Sequence, residues 1–263
     1  YLLALSKEKA IPLTLTRSEE ALLKKLKDVS VEDAGLVKRI ETEGYEDVPA
    51  TRHDVKAVEY FIKERAKGTS LESKLEWVHF GLTSEDVNNL SYALMLREGA
   101  RVLAGSGDDV IARLMKLAGE HAELPMLART HGQPASPTTF GKEMRVFAER
   151  LAHARAPLRA FRHLAKLNGA TGNYHALAAA FPKADWIGFS ERFIESLNDK
   201  GAVRLVPNLF TTQIEPHDSY AELFQLFSRV NSILIGFDQD SWRYVSDGWL
   251  VQKLVKGEIG SST

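Results

Sequence analysis

Phe140-Gly141-Lys142-Glu143-Met144-Arg145-Val146-Phe147-Ala148-Glu149-Arg150-Leu151-Ala152-His153-Ala154-Arg155-Ala156-Pro157-Leu158 places apolar residues at alternating steps of four and three. The seam runs Phe140, Met144, Phe147, Leu151, Ala154, Leu158, and its spacing continues to Phe161 and Ala165. Those steps return to one side of a helix with 3.6 residues per turn, so they predict a long helix with one buried stripe. Pro157 lies within the stripe and is expected to kink the helix rather than end it. A second stretch, from Ser219 to Lys256, holds no proline and repeats the pattern with Tyr220, Phe224, Phe227, Val230, Leu234, Phe237, Trp242 and Val245. Both exceed the mean helix of roughly 11–12 residues, and faces that long are buried only against equally long partners. No glycine fingerprint of a dinucleotide fold, no P-loop and no strand–helix alternation is present. The expected fold class is all-α, a long-helix bundle.

Composition narrows the function. The 263 residues are 44% hydrophobic and 26% charged, enough for a sizeable core in one large or two smaller domains. Lys and Arg number 34 against 35 Asp and Glu, a net charge of -1 that predicts no general affinity for nucleic acid or an anionic membrane. There is no cysteine, which excludes disulfides, thiolate metal sites and a cysteine nucleophile. No apolar run approaches the roughly 20 residues of a membrane span, and no signal-peptide pattern opens the chain, so a cytoplasmic location is expected. Tyr1-Leu2-Leu3-Ala4-Leu5 reads as a helix entered midway, and Gly257 to Thr263 as the small, polar start of a mobile loop.

Chemistry concentrates where helices begin. Arg129-Thr130-His131-Gly132-Gln133-Pro134-Ala135-Ser136-Pro137 cannot be an ordinary helix: two prolines fix φ and remove donors, and Gly132 permits angles that other residues avoid. A histidine held there reads as a site, or as an exposed group in a helix-entry loop. In Thr83-Ser84-Glu85-Asp86-Val87-Asn88-Asn89, Thr83 is a plausible N-cap with Asp86 three residues on; the same N–H groups and hydroxyls could receive an anion. Arg52-His53-Asp54-Val55-Lys56-Ala57-Val58-Glu59-Tyr60 starts another helix, as a solvated cap or a ligand contact. Lys166-Leu167-Asn168-Gly169-Ala170-Thr171-Gly172-Asn173 reads as a helix stopping in a Gly-rich turn, with a phosphate cradle as the other reading. Thr211-Thr212-Gln213-Ile214-Glu215-Pro216-His217-Asp218 leads into the second long helix and is dense in hydrogen-bonding groups.

Taken together, these segments resemble the adenylosuccinate lyase branch of the fumarase/aspartase superfamily along essentially the whole chain. The Arg52–Tyr60 and Thr211–Asp218 runs are more specific to that branch. Thr83-Ser84 and Gly260-Ser261-Ser262, the start of a signature loop Gly-Ser-Ser-x-Met-Pro-x-Lys-x-Asn, are shared across the superfamily. The resemblance implies an N-terminal helical domain over 1–82 and a central long-helix bundle over 83–263, with the family's C-terminal helical domain absent from this chain. It implies cleavage of a C–N bond with release of fumarate, from adenylosuccinate to give AMP and from its imidazole-carboxamide counterpart in purine synthesis. His131 is then the general acid and Ser261 the general base, activated when its loop closes. Thr83, Ser84 and Gln213 hold a succinyl carboxylate. Arg52, His53 and Asp54 meet the nucleotide, with Arg52 and His53 suited to a phosphate, although the branch commonly carries Asn where this chain has Arg52. His79 lies in or near the site and supports His131, and Lys166 and Asn168 are further candidates. No metal and no cofactor are implied, because the substrate is its own electron sink. The family works as a homotetramer with shared active sites, so His53, His79 and His131 need not converge within one chain. A sister lyase for argininosuccinate or fumarate-type substrates, or a non-catalytic helical nucleotide-binding scaffold, are the alternative readings.

Overall fold

The computed structural model describes residues 1–253 and 255–257; Ser261, the expected base, lies outside them. Along the chain run α1 (Leu2–Leu5), α2 (Arg17–Lys25), α3 (Val31–Thr42), a hairpin of β1 (Gly44–Tyr45) and β2 (Val48–Pro49), α4 (Asp54–Ala66), a 3-10 turn (Glu72–Trp77) and α5 (Ser84–Glu120). There follow the hairpin β3 (Pro125–Thr130) and β4 (Gln133–Thr139), α6 (Phe140–Arg159), β5 (Arg162–Ala165), α7 (His175–Ala180), α8 (Trp186–Ser196), β6 (Arg204–Pro207) and α9 (Asp218–Ser246). The chain packs as two compact units that interleave: Tyr1–Gly99 with Arg162–Ser219, and Ala100–Phe161 with Tyr220–Thr263.

In the first unit, short helices are set by their caps. Thr16 Oγ1 accepts the Glu19 N–H at 3.3 Å while the Glu19 carboxylate accepts the Thr16 N–H at 2.7 Å, and Ser30 and Asp33 repeat the exchange at the start of α3. The core gathers residues such as Leu5, Leu13, Leu90, Leu167, Trp186 and Leu205. On α5 the buried stripe of this unit reads Asp86, Asn89, Leu90, Ala93, Arg97, a helical spacing whose first two members are polar.

The second unit contains the seam that decides the fold class. Met144, Phe147, Leu151, Ala154 and Leu158 of α6 are all buried, and the first four cluster with Leu114 and Ala118 of α5 and Ile233 of α9. Thr139 caps α6, and Gly141 lies where a Cβ would strike the carbonyls of Ala118 and His121. Pro157 lies in the last turn of α6, which ends at Arg159. The chain closes a tight turn through Ala160 N–H to the Pro157 carbonyl at 3.2 Å and turns into β5. Phe161 and Ala165 are buried as the seam requires, but Phe161 lies past the end of α6 and Ala165 in β5, which forms a parallel ladder with β6 that helical spacing could not reveal. The Lys166 loop is therefore entered from a strand, not from a helix. α9 also stops short of Lys256. Gly248, with φ 75°, closes it in a left-handed turn, and the Trp249 N–H reaches the Tyr244 carbonyl at 2.8 Å. Its buried face is carried by Leu223 and Ile233, while Phe224, Trp242 and Val245 are exposed.

The Phe147 ring meets Phe237 edge-on at 5.3 Å in the middle of this core. Phe147→Ala removes both the buried ring and that contact, and is expected to cost about 3–5 kcal/mol. Urea unfolding followed by near-UV circular dichroism checks it; a loss under about 1 kcal/mol would place the ring outside the core that holds α6 to α9.

Candidate active site

The start of α5 is organised by Asp86. Its carboxylate accepts the Thr83 N–H at 2.9 Å, satisfying one of the donors a helix start leaves open. It also accepts Lys166 Nζ at 2.6 Å, the Asn168 N–H at 3.1 Å and the Gly169 N–H at 3.2 Å. Asp86 and Lys166 have no exposure to solvent. Lys166 Nζ donates to the Gly169 carbonyl at 3.1 Å, and Asn89 grips the Lys166 backbone, accepting its N–H at 2.8 Å and donating to its carbonyl at 3.1 Å. The N–H groups of the Gly-rich turn thus point at a protein carboxylate, which overturns the phosphate-cradle reading.

A second chain of contacts lies over the first turns of α4 and α5. His53 precedes α4; its Nδ1 lies 3.1 Å from Asp54 Oδ1 and its Nε2 lies 3.2 Å from Ser84 Oγ. Asn88 Nδ2 donates to Asp54 Oδ2 at 3.2 Å. The bond from the Val55 N–H holds the Asp54 carboxyl below the usual range against the pull of burial, helped by Asn88 and His53. Gln213 Nε2 donates to Thr83 Oγ1 at 3.4 Å. Behind it, His217 Nε2 lies 3.2 Å from Glu85 Oε1, and the buried Glu215 accepts the His217 N–H at 2.7 Å and Asn208 Nδ2 at 3.0 Å.

The first unit therefore brings together His53, Asp54 and Ser84, sets Thr83 against Gln213, and gathers Lys166 and Asn168 around Asp86. Arg52 sits just before His53 with a left-handed backbone at φ 51°, its N–H bonded to the Glu41 carbonyl at 2.9 Å and its side chain exposed. His79 is half-buried in the turn before α5, where its carbonyl accepts the Leu82 N–H at 3.2 Å. His131 belongs to the second unit. It and Gly132 form the two-residue tip of the β3–β4 hairpin, both with positive φ (52° and 73°), the geometry of a type I′ turn. The imidazole is exposed there, and Arg129 Nη1 donates to the Gly132 carbonyl at 3.1 Å.

The sequence reading gave Asp86 only a capping role and passed over Asn88, Asn89, Glu85 and Glu215 as individual groups. The available signal was a set of polar residues, Asp86, Asn89 and Arg97, in a stripe shared with Leu90 and Ala93. Such residues are buried only when partnered. Among the described residues, no three His, Cys, Asp or Glu side chains are grouped to hold a metal ion, and no helix is long and apolar enough to cross a membrane.

A family model described as a lyase matches residues 6–263. The chain belongs to this lyase family. The lyase chain is 50% identical over 216 residues to an adenylosuccinate lyase of Vibrio cholerae, covering 81% of this chain and 46% of that one. It is 47% identical over 236 residues to the Escherichia coli adenylosuccinate lyase (89% and 49% covered) and 41% over 273 residues to that of Dictyostelium discoideum (100% and 56%). It spans about half the length of these relatives. In fold it is similar to a fumarate lyase from a Mesorhizobium species, with a TM-score of 0.70 at 20% identity, covering 93% of this chain and 52% of that one.

His163, fully buried on β5 just before the Lys166 turn, has its pKa pushed down to about 4 by burial, with the charge of His217 adding to the effect. The unfolded chain takes up this proton near pH 6.5, whereas the folded one resists until about 4. Stability present above pH 6.5 is therefore lost as pH falls from 6.5 to 4. Denaturant unfolding across that window should show the slope, and His163→Asn should flatten it. An unchanged slope in the variant would assign the effect to another group.

Proposed function

We propose that the full-length protein is a carbon–nitrogen lyase that converts adenylosuccinate to AMP and fumarate, and acts likewise on the succinyl-aminoimidazole-carboxamide ribotide in purine nucleotide biosynthesis. The observation that carries this reading is the meeting of three separate motif segments at the start of α5. There Thr83 and Ser84 lie beside Gln213 on one side and His53 on the other. The similarity to adenylosuccinate lyases of three organisms supports it.

The elimination removes a proton from the carbon beside a succinyl carboxylate, spreads the charge into that carboxylate, then breaks the C–N bond as the nitrogen gains a proton. Two hydroxyls, an amide and the N–H groups of a helix start are suited to hold the carboxylate as its charge grows. In this reading Arg52, His53 and Asp54 face the nucleotide, Ser261 takes the proton, and His131 delivers one to the departing nitrogen. The 1–82 and 83–263 division, a cytoplasmic location and a homotetramer with shared sites belong to the same proposal. Exposed apolar side chains on the long helices, among them Val102, Leu103, Ile235 and Trp242, favour a partner of the same kind.

Full-length protein without added metal or cofactor should turn over adenylosuccinate, followed by the change in ultraviolet absorbance. Inactivity on both purine intermediates together with cleavage of argininosuccinate would move the protein to a sister branch. Within an active enzyme, His131→Ala should lower kcat by roughly 10²–10⁴ with substrate affinity largely kept. Lost affinity with near-normal kcat would make His131 a binding residue.

A further inference from the structure

We infer that Lys166, Asn168 and Thr211 are positioning residues that set the separation of Thr83 and Gln213, and do not themselves touch the substrate. The inference rests on the reading of Thr83 and Gln213 as holders of a carboxylate. Lys166 and Asn168 are both wholly buried, and their polar side-chain atoms are engaged within the protein. The bonds form a closed ring. Thr83 is tied through its N–H to Asp86, and Asp86 is tied to Lys166 and to the Asn168 backbone. The Asn168 side chain donates to Thr211 Oγ1 at 2.9 Å; Thr211 stands two residues before Gln213, and Gln213 returns to Thr83 Oγ1 at 3.4 Å. Gly172 lets the turn lie directly against the Thr211 carbonyl, where any Cβ would overlap that oxygen. Breaking one link leaves the elements folded but frees the Gln213 loop to drift from the α5 start. Misplacement of a binding group by about 1 Å can cost on the order of 100-fold in rate.

The test uses the full-length enzyme and two ligands, fumarate and AMP, whose binding is measured by calorimetry. Thr211→Val removes the hydroxyl that Asn168 grips at nearly constant volume. The double variant Lys166→Met with Asp86→Asn removes both charges together, so that neither is left buried alone. Both should weaken fumarate roughly tenfold or more, with AMP affinity changed less than twofold and kcat reduced along with the loss of fumarate affinity. Thr211→Val supplies the answer where the double variant does not fold. Proportionate loss of both ligands would mean a general structural role and overturn the inference, as would unchanged fumarate affinity. Wild-type enzyme that binds AMP but no fumarate would overturn the carboxylate reading of Thr83 and Gln213, and this inference with it.

Discussion

An ammonium and a carboxylate meet at 2.6 Å with no contact to water, and the first unit is arranged around that fact. Stripping two charges of solvent costs several kcal/mol each, so attraction alone does not justify the pair. It persists because three backbone N–H groups, from Thr83, Asn168 and Gly169, share the Asp86 carboxylate, and the Gly169 carbonyl shares the ammonium. Every one of those groups lies in a turn or at a helix start, where no ladder would otherwise satisfy it. The ion pair thus replaces secondary structure at the point where three non-contiguous segments must be held still.

The parts of the chain legible in advance are those in which structure follows from neighbours. The α6 seam from Met144 to Leu158 and the polar start of α5 are local patterns, and local patterns survive in sequence. The β5–β6 pair was hidden because Phe161 and Ala165 kept a helical interval although Arg162–Ala165 pairs with Arg204–Pro207, far along the chain. Pro134 and Pro137 excluded a helix around His131 but also disguised the strand they occupy, since proline fits a ladder only at an unpaired edge. The lack of proline up to Lys256 masked Gly248 as the end of α9. The candidate site was legible as a set of types, but the wiring of Asp86 to Lys166 and Asn168 was not, because each of those bonds spans about eighty residues.

Three of the motif segments share a backbone feature. Arg52, His131 and His217 all adopt positive φ, between 51° and 64°, without being glycine. Each such residue costs of order 1–3 kcal/mol and is kept where the surroundings over-determine it. Here the surroundings are the Glu41 carbonyl, a two-residue hairpin and the Glu215 carboxylate. Side chains launched from such a backbone leave at angles a regular helix or strand does not offer.

The interleaving of the two packing units has a consequence for synthesis on the ribosome. Asp86 emerges 80 residues before the Lys166 that neutralises it, and at roughly 5–20 residues per second the wait is about 4–16 s. During that time Asp86 lacks its cation and the Asn168 and Gly169 N–H groups, and the apolar members of the α5 stripe have no complete core. The hairpin that carries His131 needs only its own residues and closes within about 1–10 μs of emerging. The hairpin is therefore in shape almost as soon as it is made, while the start of α5 waits for the Lys166 turn, and anything that shields nascent polypeptide has its longest task between those two moments.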